Sequence, residues 1–225
     1  MIGKLFLIPT PIGNSEDITL RSISTLKDVD LIVCEELKEA RRLLSKFNIQ
    51  KELISLNEHN EKEVAPEILR HLKNGKIIGL ISDCGSPLFS DPGHYLTNLC
   101  IVENIQIIPL PGANSLIPAI TSSGLEIEKF YYYGWLSQKK DIRIQELLRL
   151  KKINEVLIIL DTPYRLAVLL SDIKKIFSEK QQVVLAFDLT MKSEKIFRGS
   201  VGKILDEVLL EKLKGEFVLL IDNRK

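Results

Sequence analysis

The sequence is short of several things, and each shortage removes a class of protein. Only three cysteines occur in 225 residues, Cys34, Cys84 and Cys100. They are too few and too scattered for a disulfide framework or a zinc site. They read as reduced thiols in a cytoplasmic protein without a metal. Long apolar runs are also missing. The longest, Val156–Leu160 and Phe217–Ile221, have five residues, against about 20 for a membrane span. The early run Leu5–Ile8 is cut by Pro9 and Pro11, far short of a secretory signal core. Neither charge sign dominates: 31 basic and 30 acidic residues leave a net charge of +1. That excludes a general polyanion sponge but leaves room for a local basic face. Neither G-x-G-x-x-G nor G-x-x-x-x-G-K-[ST] is present, which disfavours ordinary dinucleotide and P-loop sites.

What is present is material for a core. Apolar residues make up 45% of the chain, and a chain this long buries about 70% of its unfolded surface. At about 150 residues per domain it makes one large or two small domains. Hydropathy alternates between short β-like runs and longer amphipathic stretches. The first half predicts strands at 4–8, 31–34, 52–56, 77–81 and 105–110. Helices are expected between them at 18–27, 36–47, 61–74 and 94–103. That βαβαβαβαβ order is the pattern of an α/β sheet with helices on both faces. The run Ile77–Ile81 has no polar alternation, as in a parallel strand buried on both sides. Beyond Gly124 the rhythm changes to strands at 130–133, 155–160, 182–188 and 215–222, a hairpin arm near 195–198, and helices near 140–150, 164–177 and 201–213. The expected fold is a two-domain α/β protein. Residues 1–124 form a mostly parallel α/β domain, and 125–225 form an α+β domain with a mixed sheet.

Three loops, each after a strand of the first half, carry the residues able to do chemistry. They are Pro9-Thr10-Pro11-Ile12-Gly13-Asn14, then Ser82-Asp83-Cys84-Gly85-Ser86-Pro87 running on to Ser90-Asp91-Pro92-Gly93, and Pro109-Leu110-Pro111-Gly112-Ala113-Asn114-Ser115. Proline stiffens such loops, glycine lets backbone approach a ligand, and Asp and Ser direct hydrogen bonds. Any one of them reads as an ordinary turn. Three at the carboxyl ends of strands lie where open α/β sheets bind their ligands.

At these loops the sequence resembles the rRNA small-subunit methyltransferase I family, the ribosomal RNA cytidine-2′-O-methyltransferases. PTPIGN at 9–14 with DITLR at 17–21 is similar to the family's opening. SDCGSPLFSDPG at 82–93 resembles its S-D-A-G-T-P-L-x-S-D-P-G segment. LNEHNE at 56–61 resembles H-E-H-N-E, and PLPGANSLIPAI at 109–120 resembles the P-G-P-S-A loop and its helix. YYYGWLSQKK at 131–140 and KGEFVLLI at 214–221 match in the second half. The resemblance spans nearly the whole chain, in order. It places the chain in the wider tetrapyrrole-methylase-like class that uses S-adenosyl-L-methionine (SAM) and releases S-adenosyl-L-homocysteine. It implies SAM in a cleft between two domains, a homodimer, and methylation of a cytidine ribose 2′-hydroxyl in small-subunit (16S) rRNA. Carried over residue by residue, it implies cofactor contacts at Pro9, Pro11, Ser82, Asp83, Ser86, Ser115 and Leu116. Backbone contacts are implied at Asp161, Leu189 and Gly215.

The sequence also departs from the family. Cys34-Glu35-Glu36-Leu37-Lys38 stands where A-E-D-T-R is common, Asp161-Thr162-Pro163-Tyr164-Arg165 where E-S-P-H-R is, and Phe187-Asp188-Leu189-Thr190-Met191 where R-E-L-T-K is. Lys is not equivalent to Arg where a planar fork grips phosphate. The cofactor loops are kept better than the segments expected to meet substrate. Methylation of a small molecule such as a tetrapyrrole precursor therefore stays open, as does a non-catalytic SAM-binding dimer on the ribosome.

Ribose hydroxyls are poor nucleophiles, so a nearby carboxylate or imidazole would help. Glu35, Asp83, Asp91 and His59 are the candidates. Glu35 has the alternative of an ion pair with Lys38, Arg41 or Arg42, and His59 that of a surface or capping residue. Arg42 with Arg41 and Lys46, and Lys140 with Lys139 and Arg143, are candidate phosphate contacts, with solvated helix faces as the alternative. Arg165 is a candidate phosphate clamp whose alternative is a pair with an acid. The aromatic run Tyr131–Trp135 offers base stacking or core.

Overall fold

The computed structural model describes residues 2–225, which divide into two compact units, the first ending at Asn114 and the second spanning Ser115–Lys225. The first unit is a five-stranded, fully parallel sheet in the order β3-β2-β4-β1-β5. Its strands are β1 (Lys4–Ile8), β2 (Leu31–Cys34), β3 (Glu52–Ser55), β4 (Ile77–Ile81) and β5 (Gln106–Pro109). Between them run α1 (Leu20–Asp28), α2 (Leu37–Lys46), α3 (Glu61–Lys73) and α4 (His94–Val102). The strand side chains alternate between two cores. Leu5, Leu31, Val33, Ile78 and Leu80 pack under α3 and α4 against Ala65, Ile68, Leu72, Leu96 and Cys100. Ile8, Ile32, Cys34 and Ile81 pack on the opposite face against Leu26 and Val29, and against Ala40 and Leu44 of α2. Central β4 is buried on both sides from Ile78 to Ile81, which is why its sequence shows no polar alternation.

The helix ends follow the local chemistry. Thr19 caps α1 by accepting from the Ser22 amide, and α3 stops at Asn74 and Gly75, the latter at a left-handed φ of 89°. Pro66 sits within α3.

The second unit is a mixed five-stranded sheet in the order β6-β7-β10-β8-β9. It comprises β6 (Phe130–Trp135), β7 (Val156–Asp161), β8 (Gln182–Phe187), β9 (Lys195–Ser200) and β10 (Phe217–Asp222). Only the β6–β7 pair is parallel. Helices α6 (Lys140–Leu150), α7 (Leu166–Ile176) and α8 (Val201–Glu211) all bury their apolar stripes against one face of this sheet. The short α5 (Leu116–Ser122) belongs to this unit. The Arg198 guanidinium of β9 holds its end by donating to the carbonyls of Ser122 and Ser123 (3.0 Å to the latter). The units therefore divide before α5, ahead of the change of hydropathy rhythm near Gly124.

Candidate active site

In the first unit the neighbouring strands β1 and β4 send the chain to opposite faces of the sheet. β1 leads to α1 and β4 leads to α4. Loops that diverge in this way leave a crevice at the strand carboxyl ends. The 9–14 and 82–93 loops border it.

Those loops are tied together. The Thr10 amide donates to the Gly85 carbonyl at 2.9 Å and the Gly85 amide to the Thr10 carbonyl at 3.0 Å. The buried Thr10 hydroxyl donates to the Ser82 carbonyl at 3.0 Å. The third loop is drawn in as well. A Cβ on Gly112 would lie 2.6 Å from Pro9 Cβ, so only glycine fits that approach. The Ser86 hydroxyl faces the Ala113 carbonyl at 3.4 Å. The structure thus gathers Pro9, Pro11, Ser82, Asp83 and Ser86 into one loop assembly. Thr10 and Gly112, which sequence reasoning did not single out, hold it together.

Acidic residues from two strand ends meet there. The Glu36 amide donates to Asp83 Oδ1 at 3.2 Å, linking the end of β2 to the loop after β4. Burial pushes the Asp83 carboxyl up, with Glu36, Glu39 and Asp91 adding repulsion against the Glu36 amide. Burial raises Glu35 too, followed by the charges of Asp83 and Asp91. Asp91 is raised by burial against a hydrogen bond from Ser82, and its buried Oδ2 has no hydrogen-bond partner. Carboxylates held above their ordinary range in a crevice are candidates for a functional site. The loop carrying them is conformationally tense, with Leu88 at φ 67° and Ser90 at φ 73°. His59 stands apart: it is strongly exposed and lies 3.4 Å from Glu58.

In the second unit Asp161, Leu189 and Gly215 come together at one end of the mixed sheet. Asp161 is the last residue of β7 and opposes Phe217 of β10, which also opposes Phe187 of β8. The Asp188 amide donates to the Glu216 carbonyl at 2.7 Å. A Cβ on Gly215 would meet Asp188 Oδ1 at 2.2 Å and Phe187 Cζ at 2.6 Å, so any side chain there has to displace both. Ser115 and Leu116 are the N-terminal cap and first residue of α5.

Two basic residues are already committed elsewhere. Arg143 is buried, not a solvent-facing phosphate contact. Its Nε and Nη2 each lie 2.9 Å from Asp172 Oδ2, and its Nη1 donates to the carbonyls of Ser137 and Gln138. A buried acid at position 172 demands such a partner. Arg165 donates to the carbonyls of Leu136 and Ser137 and approaches Asp161. Arg42 and Lys140 are exposed. Of the aromatic run, Tyr133 packs against the core, whereas Tyr131 and Trp135 remain exposed. Among the described residues no group of His, Cys, Asp or Glu is placed to hold a metal ion, and no helix is long and apolar enough to cross a membrane.

Residues 4–205 match the family model for Tetrapyrrole (Corrin/Porphyrin) Methylases. The Ribosomal RNA small subunit methyltransferase I of Buchnera aphidicola subsp. Schizaphis graminum is 39% identical, over 99% of this chain and 79% of its own. The enzyme of that name from Thermotoga maritima is 38% identical over 100% of both chains. That from Bacillus subtilis is 36% identical over 98% of this chain and 75% of its own. Among solved structures, a cobalt precorrin-4 methyltransferase of cobalamin biosynthesis superposes with a TM-score of 0.73 at 17% identity, covering 97% of this chain and 94% of that one. A uroporphyrin-III C-methyltransferase from Thermus thermophilus, complexed with S-adenosylhomocysteine, gives 0.66 at 15% identity over 98% of both. The structural likenesses establish the fold, and the sequence identities go further: the chain belongs to the tetrapyrrole methylase family, among the ribosomal RNA small subunit methyltransferases I, and is a SAM-dependent methyltransferase.

Proposed function

We propose that the protein methylates the 2′-hydroxyl of a cytidine ribose in small-subunit rRNA, working in the cytoplasm as a homodimer. The observation that carries this reading is identity of 36–39% over nearly the full chain to enzymes named for small-subunit rRNA. The 2′-hydroxyl, the cytidine and the dimer rest on the motif resemblance.

The loop assembly suits SAM. Gly112 lets the third loop close on Pro9, Asp91 Oδ2 is a buried acceptor without a partner, and the carboxylates complement a cationic ligand. Pro9, Pro11, Ser82, Asp83 and Ser86 would hold it, and contacts at Ser115, Leu116, Asp161, Leu189 and Gly215 rest on the motif resemblance alone. Bound there, SAM supplies an activated methyl group on a sulfonium. The protein's own task is to align a hydroxyl with that group and accept one proton. Alignment alone is worth several kcal/mol, roughly 7 or more in favourable cases. Glu35, raised by burial and by neighbouring carboxylates, and Asp91, raised by burial, are the carboxyls that would take the proton.

RNA backbone contact fits α2 and the turn after it. Lys38, Arg41, Arg42 and Lys46 are gathered there against the single acid Glu39, while Lys51 donates to the Val29 carbonyl at 2.6 Å. A groove of about 510 Å³ runs between Arg41 and Lys51, with Ser45, Asn48 and Gln50 also lining it and no carboxylate in its wall. Such cations position phosphate without reading sequence.

The test is transfer of labelled methyl from SAM to small ribosomal subunits, to free rRNA and, separately, to tetrapyrrole precursors. Label in a dinucleotide resistant to alkali identifies the ribose 2′-oxygen. Label in the tetrapyrrole alone would transfer the activity to the small-molecule branch. SAM binding without transfer to any acceptor would leave the non-catalytic ribosome-associated dimer.

A further inference from the structure

We propose that Glu61 is a positioning residue for methyl transfer: from α3 it caps α4 and so fastens the far end of the 82–93 loop. The proposal rests on the reading of that loop as part of the SAM site.

Helix α4 has no cap of its own. Its N-cap is Gly93, at φ 118°, with no side chain to accept a hydrogen bond. A Cβ there would also strike Leu88 Cδ2 at 2.7 Å. The first amides of a helix lack intrahelical partners and usually find an adjacent Ser, Thr, Asp or Asn. Here the acceptor comes from another helix. Glu61 Oε1 accepts from the Tyr95 amide at 2.8 Å and from the Leu96 amide at 3.3 Å. A carboxylate at a helix N-terminus also meets the favourable end of the dipole.

Glu61 is itself held in place. It opens α3 directly after a turn locked by two asparagines. Asn60 Oδ1 accepts from the Asn57 amide at 2.7 Å, and Asn57 Oδ1 accepts from the amides of His59 and Asn60 at 3.0 and 3.2 Å. Asn60 Nδ2 donates to the Ser55 carbonyl at 3.1 Å, tying the turn to the end of β3. The L-N-E-H-N-E stretch is therefore a fastening, and Asn57, Asn60 and Glu61 make it while His59 points away into solvent.

The consequence reaches Asp83 and Asp91. Their loop is fixed at one end by β4 and by the Thr10 bonds, and at the other by α4. It carries left-handed Leu88 and Ser90 and mutually repelling carboxylates, so it keeps this shape only while both ends are held. Glutamine at position 61 preserves an oxygen that accepts both amides; alanine does not.

The experiment measures SAM affinity by calorimetry, kcat and KM for SAM, and hydrogen exchange at the Tyr95 and Leu96 amides, in E61A, E61Q and H59A. The expected result is SAM binding weakened about tenfold or more in E61A, with KM for SAM raised and the two amides exposed to exchange. E61Q and H59A stay within about twofold of the unaltered protein. A folded E61A that melts lower but keeps its SAM affinity and KM would make the role merely structural and overturn the proposal. Should E61A fail to fold, E61Q decides: loss of SAM binding with both amides still protected would place the effect in the charge and overturn it equally. SAM affinity is read without RNA. Failure of rRNA methylation in the unaltered protein would therefore strike the proposed function and leave this test standing.

Discussion

The Arg165 guanidinium lies 3.3 Å from Asp161 Oδ2, at the end of β7, while donating to the Ser137 carbonyl at 2.8 Å and the Leu136 carbonyl at 3.2 Å. Asp161 is fully buried. Burial pushes its carboxyl up, and the Thr162 amide, Arg165 and Arg143 oppose that rise. Arg165 therefore joins the end of β7 to the chain leaving β6 and is not free to clamp phosphate. Arg165→Ala leaves a buried acid and two carbonyls short of partners, a loss of about 3–5 kcal/mol. Thermal melting and urea titration should show it, and Arg165→Lys should not restore it, because an ammonium lacks the planar fork. Unchanged melting together with weakened RNA binding would return Arg165 to the substrate face.

Gly112 tests the loop assembly from the other side. Alanine would place its Cβ 2.6 Å from Pro9 Cβ and 2.9 Å from Pro9 Cγ, and proline has no rotamer with which to give way. Overpacking of this kind costs about 1–3 kcal/mol. Gly112→Ala should therefore lower the melting temperature and weaken SAM binding together. Gly199→Ala is the comparison: its Cβ would meet nothing within 4 Å, so any cost comes from its φ of 143° alone, with no effect on SAM.

Much of this was legible in the sequence, and the reasons are physical. Strands such as Lys4–Ile8, Leu31–Cys34 and Ile77–Ile81 have Pro, Asp or Gly within two residues of an end and are filled with β-branched or apolar residues, so their ends show in the sequence and recur in the structure. The loops of the candidate site were legible as loops because Pro and Gly punctuate strand ends. Long-range commitments were not legible. Nothing local marks Arg143 as the partner of Asp172, because the two are 29 residues apart and both read as surface charges. The same holds for Glu61, whose cap partners lie 34 residues on. The position of α5 was misleading for a related reason: its apolar run continues the rhythm of the first unit, but Arg198 from β9 takes up its end.

Glu35 gives a pH-dependent prediction. Burial and the charges of Asp83 and Asp91 hold its carboxyl above the ordinary 4.5. The folded state thus binds this proton more readily than the unfolded chain, and stability falls as pH rises from 4.5 through the raised value. Above that value the cost is fully present. Glu35→Gln removes it, so the ligand-free variant should melt higher than the unaltered protein at pH 7. The gain is read as a higher melting temperature of the variant at pH 7. At pH 4 the two should melt alike. If Glu35 accepts the substrate proton, kcat should fall about 10²–10⁴-fold in the same variant. Higher melting at pH 4 as well would assign the gain to something other than charge.

The RNA face makes the last prediction. Cations on α2 begin beside the crevice, since the Glu36 amide that precedes the helix is bonded to Asp83. They continue along its ten residues, about 15 Å, to the groove between Arg41 and Lys51. Arg42 is 3.5 Å from Glu39 with its side chain 71% exposed, a pairing too weak to withhold it from phosphate. On the second unit Lys139 and Lys140 occupy the N-cap and first position of α6. That is the end of a helix where a cation is disfavoured, so an external anion is the partner that would repay them. Arg41→Gln with Lys46→Gln, and separately Arg42→Gln with Lys140→Gln, should weaken rRNA binding and leave SAM affinity and melting unchanged. Each lost contact to a single strand should flatten the log–log salt dependence by about 0.7, or about 1.4 per pair. Unchanged affinity and slope in either pair would mean that its side chains are solvated helix faces, and the RNA path would have to be sought elsewhere on the molecule.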